Sequence, residues 1–140
     1  MSAERNLRRR LTYHLRGGMR AVAGVPIPFD GCALFQCDIH LAATGDDPAA
    51  KWRGRYTTPR GMRRVMGKGG LGNCMRGAAR RHGWKRIKPL AARVGDVGLV
   101  LTPTGFAVVR MLHRGEWIGR NTMGWSMLPT DRVRVAWAIY

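Results

Sequence analysis

The sequence predicts an α+β fold, with N-terminal helices packed on a C-terminal antiparallel sheet of about five strands. Three observations predict it. The first half holds apolar residues at helical spacing, bounded by cap-type residues. After Trp84, short β-type runs alternate with turns. Hairpin-type links join those runs in series, and helices followed by consecutive antiparallel strands form an α+β layout. The 140 residues are one domain's worth. We read 1–140 as a single domain: a basic amphipathic N-terminal helix over 1–18, a helical part over 32–83 and a β part over 84–140.

Leu7, Leu11 and Leu15 recur every four residues with Arg8, Arg9, Arg10 and Arg16 between them, an amphipathic helix with one apolar stripe. Ser2 caps its start, and Gly17-Gly18 is read as its end. Val25-Pro-Ile-Pro-Phe29 is a stiff extended linker, because each proline biases its predecessor out of the helix. Asp30-Gly31 makes a turn. Cys32 to about Ala43 is mostly apolar, a largely buried helix ending at Thr44-Gly45. Pro59 sits in the first turn of a helix to about Met66, capped by Thr57 or Thr58. Leu71 to His82 forms another. Strands are expected at Asp96–Leu101, Phe106–Leu112, Glu116–Arg120, Gly124–Leu128 and Val133–Tyr140, linked by Pro103-Thr104-Gly105 and His113-Arg114-Gly115.

Charge is the compositional outlier. Twenty-five Lys and Arg oppose eight Asp and Glu, a net +17. That favours an anionic neighbour and says nothing of the fold. Three cysteines are too few, and odd in number, for a disulfide scaffold, so reduced thiols are expected. No apolar run reaches the ~20 residues of a membrane span, and no apolar h-region follows the Arg-rich start, so no secretory signal is expected.

Gly67-Lys68-Gly69-Gly70-Leu71-Gly72 fits G-x-G-x-x-G, but no strand precedes it and Ala91-Ala92-Arg93 stands where an acidic residue is needed. It is read as an inter-helix connection, and no cofactor is expected. Cys32, Cys37 and His40 do not make a zinc set: Cys32 lies off the face that Cys37 and His40 share, and there is no second close ligand pair. Basic stretches at Arg8–Arg10, Arg60–Arg64 and Arg80–Lys88, with Trp52, Tyr56 and Trp84 among them, permit sequence-independent nucleic-acid contact. They form no recognition motif, so a basic nucleic-acid-binding protein stands as a second alternative function.

Cys32 carries more. It falls after a Pro-rich linker and a turn, at the first residue of an apolar helix. The helix's positive end and unpaired N–H groups there favour thiolate. A cysteine at a helix start, packed on an antiparallel sheet, is the placement of a papain-like nucleophile.

Three strings sharpen this: Asp30-Gly31-Cys32-Ala33-Leu34-Phe35, Thr44-Gly45-Asp46-Asp47-Pro48-Ala49 and Arg53-Gly54-Arg55-Tyr56-Thr57-Thr58. Together they resemble a small family found in tailed phages, prophages and gene transfer agents. Its members look like distant relatives of NlpC-type cysteine peptidases, the papain-like enzymes that cut peptidoglycan peptides. Gly95-Asp96-Val97-Gly98-Leu99-Val100 resembles the Gly-Asp strand of that group, and Arg134-Val135-Ala136-Trp137 its closing strand. The resemblance implies a papain-like NlpC-type fold with Cys32 as the candidate nucleophile.

In active NlpC-type enzymes a histidine opens the strand after the Gly-Asp strand, and a third polar residue lies on the next. Here the stretch is Gly105-Phe106-Ala107-Val108-Val109, and Glu116–Asn121 offers no clear match. The candidate base left on that strand is His113, roughly 20 Å from the expected position. His40 lies about 12 Å along the helix from Cys32. The expectation is therefore a fold kept and a chemistry lost. The resemblance further implies a distal-tail (tail-tip or baseplate) virion component, made in a bacterial host's cytoplasm. Its basic surface would dock acidic tail subunits or meet peptidoglycan or another anionic envelope polymer. An active peptidase cleaving peptidoglycan peptides during host entry is the alternative.

Overall fold

The computed structural model describes residues 2–140. Helix α1, Ala3–Val22, starts on Ser2, whose hydroxyl accepts the Arg5 N–H at 3.1 Å. Its leucine stripe faces inward, and Leu11 and Leu15 are fully buried; each contributes roughly 1.5–3 kcal/mol. The helix does not end at Gly17-Gly18 as expected but runs one turn further. The glycine is there for packing: a Cβ on Gly18 would meet the Phe35 ring at 3.0 Å, so α1 and the next helix approach backbone to ring.

Helix α2, Gly31–Thr44, is the buried helix the apolar run predicts. Gly45 ends it in the left-handed conformation, φ 82°, with its N–H bonded to the Leu41 carbonyl. Helix α3, Pro59–Met66, begins on Thr58, whose hydroxyl accepts the Gly61 N–H. Gly67-Lys68-Gly69 connects it to α4, Gly70–His82.

The sheet has six strands where about five were expected: β1 Lys85–Ile87, β2 Val97–Thr102, β3 Gly105–His113, β4 Glu116–Asn121, β5 Gly124–Pro129 and β6 Val133–Ala138. Their order is β1-β6-β2-β3-β4-β5 and every neighbouring pair is antiparallel. The extra strand is β1, which pairs with β6 at one edge. Three residues reading Lys-Arg-Ile carry no alternation that marks a strand.

Alternation along β3 divides the core. Val108 and Leu112 face the helices, with Leu99, Ile118, Val135 and Trp137 beside them. Val109 and Met111 face the other side, with Val100, Trp117, Val133 and Ala136. Trp117 is fully buried there and its indole N–H donates to the Thr130 hydroxyl at 3.0 Å. Among the described residues no helix is long and apolar enough to cross a membrane.

Candidate active site

The start of α2 is held from below. Ile27 N–H donates to the Thr122 carbonyl at 2.8 Å, and Gly31 N–H to the Pro28 carbonyl at 2.9 Å. Arg120, on β4, reaches the carbonyls of Val25 at 2.9 Å and Pro26 at 3.3 Å. Gly31 is a steric requirement: a Cβ would lie 2.6 Å from Ile27 Cγ1. The linker, clamped to β4 and the β4–β5 turn, thus presses against the first residue of α2. Arg120 lies in the stretch where a third polar residue was sought. Its guanidinium is taken up by the linker and by the carbonyls of Asn121 and Gly124.

Cys32 is the second residue of α2, one position further in than the first-residue seat read from the sequence, and it lies half-buried over β3. The expected thiolate character is not there. Burial pushes the thiol above its ordinary value; the backbone at Val108 and Ala33 pulls it back in part, and the Asp30 charge pushes it further up. A group at a helix start gains only where it stays open to water and to the free N–H groups, and desolvation outweighs that gain here.

Phe106 stands where a base would be sought. It lies two residues before Val108, hence on the same, helix-facing side of β3. Its ring packs under α4, at 3.5 Å from where a Cβ on Gly72 would be. The four histidines sit elsewhere. His113, the sequence candidate, is at the far end of β3, five residues or about 16 Å beyond Val108. Its Nε2 accepts from Arg16 Nη2 at 3.1 Å, so the structure does not bring it to Cys32. His40 lies two turns along α2, its ring 5.1 Å from Trp84 and 6.0 Å from His82, both centroid to centroid. His14, on α1, borders the Phe35, Asp38 and Ile39 stretch of α2.

The strings that carry the resemblance meet around this helix. Tyr56 Oη donates to Asp30 Oδ2 at 2.9 Å, beside the turn before Cys32. Burial, then this bond, holds the phenol well above its usual range. Arg53 grips Asp47 with two bonds, 2.7 and 3.1 Å, and reaches Asp38 on α2 at 2.7 Å. Asp47 also accepts the Ala49 N–H at 2.9 Å. These residues fold the 45–56 loop onto α2.

Asp96, of the Gly-Asp pair, is a buried anchor: it accepts Arg8 Nη1 at 2.8 Å and the N–H groups of Arg93 and Ile139. Arg110 lies fully buried on the helix-facing side of β3. It donates to the carbonyls of Gly95 at 2.8 Å and Gln36 at 3.3 Å, and burial lowers its pKa to about 10. Arg110 was missed as a core residue. Its signal was an arginine in an otherwise apolar strand, at the same phase as Val108.

Chemically, Cys32 has a backbone neighbour and a charge that disfavours thiolate. A papain-like step needs a base to take the thiol proton and then give it to the leaving amine. Residues 6–139 match the family described as Domain of unknown function (DUF6950). The chain belongs to this family. No curated protein matches it. Among solved structures it is similar to the NlpC/p60 domain of the peptidoglycan hydrolase SagA, with a TM-score of 0.55 at 16% identity over 91% of this chain and 97% of that one. The likeness shows the fold: this DUF6950 member has the papain-like NlpC architecture, with helices first and an antiparallel sheet after them.

Proposed function

We propose that this chain is an NlpC-type domain that works by docking rather than by hydrolysis. One observation supports it above the others: the helix-facing position that opens β3 is Phe106, and among the described residues the groups that act on the Cys32 thiol are the Val108 and Ala33 backbone and the Asp30 charge, with no imidazole among them. A thiol held above its ordinary pKa is less ionised at neutral pH than a free one, and it lacks the acid that an amide leaving group needs. The net +17 charge suits acidic neighbours, with Arg as the bidentate partner. We place it at the distal tail of a phage-like particle. That placement rests on the resemblance of the strings around Cys32, Asp47 and Tyr56 alone.

The second reading is a cysteine peptidase on peptidoglycan peptides, favoured by Cys32 at the helix start and by the fold shared with SagA. One assay separates the two. Purified chain and Cys32→Ala are incubated with muropeptides, and products are followed by mass spectrometry. Docking predicts identical traces. Cleavage that Cys32→Ala abolishes overturns the reading. In the parent particle, Cys32→Ser is expected to leave infectivity intact, and the chain to bury more than about 1,000 Å² against other virion chains.

A further inference from the structure

A groove of about 670 Å³ lies along the outer side of α1, and Cys32 is not among the residues that line it. Arg5, Arg9 and Arg16 line it from one side of the helix, and Arg93 closes it from the segment before β2. A second cavity, about 490 Å³, adjoins through Arg8 and Arg93 and adds Arg114. The groove already holds one carboxylate of the chain's own. Glu4 Oε1 accepts from Arg8 Nη2 and Arg93 Nη1, both at 3.1 Å.

We infer that this groove is the docking site for an acidic peptide segment of a partner protein; the inference rests on the docking reading and locates it. Three features select a peptide. The arginines offer planar forks, and the Glu4 pairing shows two of them sharing a carboxylate. Arg9 and Arg16 are seven residues apart, about 10 Å along the helix. That is close to the span of three residues of a polyproline-II chain, about 9 Å, in which every third side chain shares one face, so glutamates at every third position meet both. Glu4 itself discriminates. A phosphodiester polymer carries charge at every repeat and must set one against Glu4. A peptide can place a neutral or apolar residue there, and Tyr13, 70% exposed, and Val94 give such residues a surface to lie on.

The test is fluorescence anisotropy with a labelled heptapeptide carrying glutamate at every third position, leucine and serine between, against the full chain. An oligothymidylate is the competitor, compared at equal salt. Binding is expected, with the peptide tighter than the oligonucleotide. Arg5→Ser/Arg16→Ser weakens it about ten-fold, while Arg60→Ser/Arg64→Ser on α3, which removes the same charge elsewhere, changes it by less than about two-fold. Arg5→Lys/Arg16→Lys keeps the charge, loses the fork, and weakens binding in the same direction. Equal loss in the α3 variant, an oligonucleotide that binds as tightly, or no binding overturns the site. Each of these leaves the muropeptide result untouched, so failure of the groove and failure of the docking reading are told apart.

Discussion

Arg8 Nη1 meets Asp96 Oδ1 at 2.8 Å across 88 positions of sequence, and this buried pair ties α1 to the start of β2. The same guanidinium donates to the Val94 carbonyl at 2.9 Å, and the same carboxylate accepts two backbone N–H groups. Removing the acid strands a buried cation and orphans those donors. Asp96→Ala should therefore cost about 4 kcal/mol in urea unfolding. Arg8→Met, which leaves Asp96 its backbone partners, should cost less. Equal costs would show that the backbone bonds contribute nothing.

Phe106 and Cys32 give the sharpest test of the lost chemistry. In a Cys74→Ser background, Cys32 alkylation should rise through pH 9 without a plateau, because burial holds the thiol above its ordinary value of 9.0. Cys37 stays silent, fully buried and pushed up to about 12. Phe106→His sets an imidazole on the helix-facing side two residues from Val108. It should raise the alkylation rate at pH 7 by about ten-fold and bring a shoulder near the histidine range. An unchanged profile would mean that position 106 does not reach the thiol.

Much of this arrangement was legible where the signal is local. The caps at Ser2 and Thr58, the stop at Gly45 and the seat of Cys32 at a helix start all depend on residues a few positions apart. What sequence could not supply is set by distant partners. Gly17-Gly18 looks like a terminator until Phe35 arrives to fill the space above Gly18. Arg8 looks like one more surface arginine until Asp96 is brought beneath it. Cys32 looks activated until β3 removes its water, and His113 is a candidate base only until Arg16 claims its ring nitrogen. Strand β1 needs β6 to exist at all.

The Arg53 clip predicts a local defect. Arg53 joins Asp47 and Asp38, so it holds both the fold of the 45–56 loop and its seat on α2. Arg53→Ala should cost about 1 kcal/mol overall, since the side chain is partly exposed, and should speed amide exchange at Gly54, Arg55 and Tyr56 far more than in β2. Arg53→Lys should rescue little, because a single ammonium cannot bridge two carboxylates in the same geometry. Uniform exchange across the chain would place Arg53 in global rather than loop stability.

His40 makes the fold acid-sensitive, and the sign can be worked out. Burial is the main cause that lowers its pKa to about 3; the Arg110 charge and His82 act in the same direction, and Asp47 opposes them. The unfolded chain protonates this ring near the ordinary histidine value of 6.5, whereas the folded chain does not until about 3. Below 6.5 the unfolded state therefore binds one proton more, and stability falls as pH falls through that window. At pH 4.5 the loss is about 2 kcal/mol relative to pH 7. Asp47, held low by Arg53 and the Ala49 N–H despite its burial, stabilises the fold above its ordinary value of 3.8 and gives that up only as pH falls below it. His40→Leu removes a ring whose Nδ1 has no hydrogen-bond partner among the described residues. The variant should lose about 2 kcal/mol less than the parent between pH 7 and pH 4.5 in urea titrations. If both lose the same amount, the acid response belongs to another group.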